Sequence, residues 1–326
     1  MGQNSEEPRD SPRVVTLKSL RMPPETGGSP RRVGIVAEGE QSLPRVTGAA
    51  PADITFPPSG NCPSTAVTPH GGAIGTADPV QLIFWGSVWQ TSLAQFRQQF
   101  TGAAQSILAG PYMSALRQYG VKRCSFGGSL IILSPPPPFL PSTFTDATVQ
   151  GVVQSLIDQG TFPEPDDPGG RNLYFIIMPP NTQWQPPPGF PPGNYTGAHS
   201  ALESGSGIDP DYAWLAWIGN QALSGMTAAF SHELVEMCTD PEPFTGWYIN
   251  GAAPPCSEIG DICNNPFLLN NVSVASYWSI FDNTCLIPTA WSLRRTLAGA
   301  GIKLSGRGLR SIQSPIPSLN QWIVNL

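Results

Sequence analysis

The sequence predicts an α/β (α+β) fold. A mixed twisted sheet backs one buried helix, and an irregular, disulfide-rich C-terminal subdomain follows. Three observations carry this. Four apolar runs of strand length end at glycine or proline or pass into loops. Runs of helical periodicity alternate with the first three of them. Beyond Pro241 the helical periodicity fades, and Cys256, Cys263 and Cys285 crowd into a turn-rich stretch. With 34 glycines, 37 prolines and only 12% charged residues, the chain suits ordered loops better than a helical bundle.

The elements follow in order. Residues 1–60 are polar and rich in proline and glycine, and read as a flexible extension or pro-segment. Strand-like runs at Arg13–Leu17 and Arg32–Val36 are its docking points, and the folded body is expected from near Pro79. Val80–Trp85 is a buried strand closed by Gly86. Leu93–Leu108 is a helix with Phe96, Phe100, Ala104 and Ile107 on one face, broken by Gly110-Pro111. A second helix starts over Tyr112–Tyr119. Ser129–Leu133 is a strand, Asp146–Asp158 a helix with Val149, Val152, Val153 and Leu156 inward, and Leu173–Met178 a third strand. A Pro-rich loop spans Pro179–Pro192, and Tyr212–Ile218 is the fourth strand. Gly127-Gly128 and Gly169-Gly170 read as turns, and Ser292–Ala298 as a short helix.

The small apolar run Ala222–Phe230 opens a buried helix that continues through Ser231-His232-Glu233-Leu234-Val235-Glu236 and stops before Pro241. Residues four apart lie nearly above one another on a helix, so His232 and Glu236 can hold one metal ion. Glu233 stands beside them as a general base on a water at that ion. The pattern H-E-x-x-E is the zincin spelling H-E-x-x-H with its second histidine replaced by glutamate. Buried His and Glu need partners, a metal or a shifted pKa, which gives the motif weight beyond its spelling. Glu258-Ile259-Gly260-Asp261 follows at the distance of a third zincin ligand, with Glu258 or Asp261 as that ligand. His199 is the other candidate, as metal ligand or substrate contact, and Tyr248 or Tyr277 the candidate oxyanion donors. His70 is given no role. One imidazole with two carboxylates makes a hard, anionic site, so Zn2+ competes with Mn2+, Fe2+ and Ca2+; a second imidazole from His199 favours zinc. The expected fold is zincin-like, residues 61–240 forming the α/β subdomain and residues 241–326 carrying the third ligand. The expected activity is that of a zinc metallopeptidase acting on peptide or protein. The alternative is a non-catalytic binding protein with a structural metal and a cell-wall glycan as partner.

A net charge of −6 gives no electrostatic footprint for nucleic acid, and no run is long and apolar enough to span a bilayer. We expect a monomer. Six cysteines are an even set, and a bridge from Cys263 to Cys285 or Cys256 would pin the Glu258–Asp261 loop. They point to an oxidising compartment, as do the sequons at Asn194 and Asn271 if the pathway is eukaryotic and secretory. Met1–Pro8, by contrast, lacks the charge and apolar core of a Sec signal peptide.

An ordered set of motifs resembles the bacterial and fungal branch of the phosphate-induced protein 1 (EXORDIUM-like) family. The set is Ser231–Pro241, Gly246-Trp247-Tyr248, Glu258–Cys263 and Tyr277-Trp278-Ser279 followed by Cys285. Leu82–Gly86 and Tyr195–His199 resemble it too, so the match covers about Pro79 to Pro288. The plant members are extracellular, cell-wall-associated growth proteins, and the resemblance implies secretion and a shared fold.

Overall fold

The computed structural model describes residues 12–17, 53–59, 62, 67–133, 143–165, 171–186, 195–204, 211–252, 256–263 and 265–289. Fifteen strands and three α-helices lie among them. The strands before the first helix are β1 (Arg13–Thr16), β2 (Ile54–Phe56), β3 (Val67–Pro69) and β4 (Pro79–Trp85). Helix α1 (Ala94–Ala109), strands β5 (Ser125–Leu133) and β6 (Thr143–Phe144), and helix α2 (Asp146–Asp158) come next. Strands β7 (Leu173–Ile177), β8 (Gln183–Trp184), β9 (Gly197–Ser204) and β10 (Asp211–Ile218) lead into helix α3 (Leu223–Thr239). The chain then runs through β11 (Trp247–Ile249), β12 (Pro266–Leu269), β13 (Val272–Ala275), β14 (Tyr277–Ser279) and β15 (Thr284–Ile287).

The mixed α/β expectation is met. The main sheet has the order β1-β5-β4-β7-β10-β9, with every pair parallel except the antiparallel edge β10–β9. Strands β4, β7 and β10 are apolar on both faces because both are covered. Leu82, Phe84, Phe175 and Ala216 meet α1 and α3 on one side, while Ile83, Trp85, Ile176 and Trp217 share the other side with Val149, Val152 and Val153 of α2. Phe230 fixes α3 to both partners. Its ring stands 5.8 Å from that of Phe100 on α1 and 4.6 Å from that of Phe175 on the sheet.

Several local readings change. The Arg13–Leu17 run is docked, pairing in parallel with β5 at the sheet edge. The folded body begins before Pro79, since β3 pairs with β11 and β2 with β15. The apolar core runs from Leu82 through Leu234 to Val274 and Leu286, joining the two expected subdomains. Pro111–Tyr119 is a 3-10 helix, consistent with the fixed φ of its first residue and the short run before Gly120. Gly127-Gly128 is not a turn. It lies inside β5 opposite a register shift at Val80/Gln81, where a Cβ on Gly127 would collide with the Gln81 side chain. Arg32–Val36, Gly169-Gly170, Asn194 and Ser292–Ala298 lie outside the described residues.

A candidate metal centre

Helix α3 supplies the first three polar groups. Ser231 anchors it: the Ala275 amide donates to Ser231 Oγ at 2.8 Å, tying the helix to β13. Tyr112 on the 3-10 helix donates its hydroxyl to the Ala275 carbonyl at 2.7 Å. The helix ends where Asp240 turns out of the helical region before Pro241. The Asp240 carboxylate then accepts the amides of Phe244, Thr245 and Gly246 at 2.7, 2.9 and 2.6 Å. Burial pushes the Asp240 pKa up, against these three N–H donors. Gly246 is required at that turn, because a Cβ there would run into the Thr239 carbonyl.

The sequence names Tyr212–Ile218 as the strand before the motif helix and assigns no strand to His199. His199 instead lies on β9, and β9 is the edge strand; β10 is inside it. In β9 the residues alternate. Ala198 and Leu202 join the α2 side, while Gly197 and His199 turn towards α3. A Cβ on Gly197 would sit 2.8 Å from Glu233 Oε1, so glycine is what lets the glutamate pass.

The remaining carboxylates arrive on the 256–263 loop. Cys62–Cys256 and Cys263–Cys285 are disulfides, so both ends of that loop are stapled. The second pairing is one of the two expected for Cys263. Within the loop Cys263 N–H donates to the Gly260 carbonyl at 3.0 Å, and Trp278 N–H donates to the Ile259 carbonyl at 2.8 Å. The Asp261 amide donates to Glu236 Oε1 at 3.1 Å, which joins loop and helix at the motif itself. Gly260 packs against the same pair, where a Cβ would lie 2.6 Å from Glu236 Oε1 and 3.1 Å from His232 Cε1.

Six of the expected site residues thus meet: His199, His232, Glu233, Glu236, Glu258 and Asp261, none more than 3% exposed. His232 Nε2 is 3.1 Å from Glu236 Oε1 and 3.5 Å from Asp261 Oδ1. His199 Nδ1 is 3.2 Å from Glu233 Oε2 and 3.6 Å from Glu236 Oε2, and His199 Nε2 is 3.3 Å from both Glu258 Oε1 and the Asp240 carbonyl. Burial lowers the pKa of both histidines, yet the carboxylates around them outweigh it and hold both well above the usual range. Burial pushes Glu258 well up and Glu236 up to about 7, against the pull of His199 on Glu258 and of His232 on Glu236.

Close approach is only partly matched by hydrogen bonding: His199 bonds Glu233 Oε2 and the Asp240 carbonyl, and the Asp261 amide bonds Glu236 Oε1. Neither ring nitrogen of His232 makes a hydrogen bond, nor does Glu236 Oε2, Glu233 Oε1 or either Glu258 oxygen. Donor atoms 3.1 to 3.6 Å apart and not aimed at one another are spaced like neighbouring vertices around a cation about 2 Å from each. Two sets of three donors, each set within 4.8 Å, could hold an ion: His232, Glu233 and Glu236, and His199, Glu236 and Glu258. The donor chemistry, imidazole with carboxylate and no thiolate, fits zinc or manganese.

Two expected residues stand elsewhere. The Tyr248 ring stacks on His70, centroids 3.7 Å apart, and its link to the cluster is a main-chain bridge to Glu258. The Tyr277 hydroxyl is committed to the Tyr112 carbonyl inside the core. Among the described residues no helix is long and apolar enough to cross a membrane. Comparison with protein-family models, curated proteins and solved structures finds no match.

Proposed function

We propose that this chain is a metal-dependent hydrolase of the peptidase type, zinc its preferred ion. The observation that carries the reading is His232 Nε2 standing 3.1 Å from Glu236 Oε1 with no hydrogen bond from either ring nitrogen, fully buried on one helix. His232 and Glu236 hold the ion, and Asp261 flanks His232. When bound, zinc supplies a Lewis acid that acidifies a water and polarises the scissile carbonyl. Glu233 is held by His199 through Oε2, leaving Oε1 without a partner and able to take the water's proton and pass it to the leaving amine. Tyr248 and Tyr277 are left out of the chemistry, since their rings are occupied in packing. The resemblance to the EXORDIUM-like family and two disulfides support an extracellular setting.

The test is Glu233→Gln beside wild type. Glu233→Gln should keep its zinc and lose peptide cleavage by a factor of about 100 or more; loss of zinc in that variant would sink the assignment of roles. A second reading is favoured by one observation, the near-complete burial of the cluster. In that reading the ion is structural, and the protein binds glycan. A cavity of about 220 Å³ lined by Trp184, Tyr195, Thr196, Trp217, Gly219 and Gln221 would be the place for a sugar. Chelator-sensitive peptide hydrolysis by wild type separates the two.

A further inference from the structure

The single-ion reading uses one oxygen of Glu236 and leaves His199 and Glu258 unexplained as ligands. The two Glu236 oxygens are turned to different histidines. Oε1 faces His232 Nε2 at 3.1 Å, and Oε2 faces His199 Nδ1 at 3.6 Å without a hydrogen bond. Each histidine has its own carboxylate beyond that shared one, Asp261 for His232 and Glu258 for His199. Glu258 is the sharper case: it is 1% exposed, and neither of its oxygens is hydrogen-bonded. A carboxylate buried in that state is costly unless a cation sits against it; His199 Nε2, 3.3 Å from Glu258 Oε1, is the group now beside it, and an ion would take the place of its proton.

Resting on the metal-centre reading above, we propose that the cluster is a two-ion centre bridged by Glu236. The first ion takes His232 and Glu236 Oε1; the second takes His199, Glu236 Oε2 and Glu258. The Asp240 carbonyl accepts a hydrogen bond from His199 Nε2 at 3.3 Å, a bond that an ion on Nε2 would replace. His199 Nδ1 lies 3.2 Å from Glu233 Oε2, and that contact fixes the ring with Nε2 on the Glu258 side; one ligand atom each from His199, Glu236 and Glu258 lies within 4.8 Å of the others. Two ions joined by one carboxylate lie about 3.5–4 Å apart, the separation of two-ion hydrolytic centres, where one ion holds the attacking oxygen and the other the substrate oxygen. That narrows the substrate class to acyl or phosphoryl compounds presenting a carbonyl or phosphoryl oxygen to one ion while the other holds the attacking water.

The test uses the full-length, tag-free chain, stripped with chelator and titrated with Mn2+ alone. The readouts are manganese per chain by elemental analysis and electron paramagnetic resonance of the loaded protein. Two ions per chain with an exchange-coupled spectrum are expected, and Glu258→Gln should fall to one ion with an uncoupled spectrum. One ion per wild-type chain overturns the two-ion inference and leaves the single-ion reading standing. Two ions without coupling also overturn it, since they would not share Glu236. No stoichiometric manganese or zinc overturns both. The wild-type measurements decide the matter even if Glu258→Gln fails to fold.

Discussion

Raising the pH should destabilise the metal-free protein, and the cluster says over which range. Glu236 carries a pKa of about 7 in the folded chain against about 4.5 unfolded. Between those values the folded state holds a proton that the unfolded state has released, so stability falls as pH rises through that window. The difference of about 2.5 units corresponds to about 3 kcal/mol, roughly 5 °C in Tm for a chain this long. The histidines add in the same direction. Their folded pKa values lie well above 6.5, so the stability they contribute is full below 6.5 and is lost as pH climbs through the folded values. Calorimetry or circular-dichroism melting of chelator-treated protein from pH 5 to 8 is the assay. Metal should reverse the trend, because ligands must be deprotonated to bind and the stabilisation by metal grows with pH. At one hundred times Kd the ion adds about 2.7 kcal/mol. A metal-free Tm that is flat or rises from pH 5 to 8 would refute the reasoning, for it would mean that these groups are not buried together as described.

Two further predictions are simpler. Gly260→Ala places a methyl 2.6 Å from Glu236 Oε1 without touching any candidate ligand's identity, so it should weaken zinc binding about 10- to 100-fold in a chelator competition, with the fold retained by circular dichroism. Cys124 and Cys238 are buried free thiols whose sulfurs are 3.2 Å apart, and burial together with the Cys124 thiol raises the Cys238 pKa. A thiol reagent should therefore find no reactive cysteine among the described residues until denaturant is added, and then two.

What could be read in the sequence was whatever local pattern decides. Asp146–Asp158 was bounded correctly because Thr145 caps it, its side chain accepting the Thr148 amide, and the valine stripe repeats at helical spacing. The i, i+4 geometry of His232 and Glu236 is likewise local. Strand β9 was missed because Gly197, Ala198, Ser200 and Ala201 carry little strand propensity; pairing with the apolar β10 makes it a strand. Its alternation of inward and outward positions was the available signal. The docking of β1, and the pairing of β2 with β15, depend on partners more than a hundred residues away, which no window of sequence contains. For the same reason the motif could name Glu258 and Asp261 together but could not say which histidine each would meet.

The cluster also explains why the disulfides stand where they do. Its donors come from three segments that secondary structure alone does not hold together: edge strand β9, helix α3 and the 256–263 loop. Helix α3 is fixed by the core through Phe230, and strand β9 through Ala198, Leu202 and its pairing with β10. The loop reaches the core through Ile259 and Ile262 but has no helix or ladder, only single hydrogen bonds and one bridge. Left free, it would lose conformational entropy on folding while carrying Glu258 and Asp261 into a site crowded with negative charge. Bridges at Cys256 and Cys263, one at each end of the loop, restrict the unfolded chain and remove part of that loss in advance. Cations bound between loop and helix would offset the repulsion that remains. In the proposed metal centre, oxidation and metal binding would act on the same 256–263 loop, and each would make the other easier.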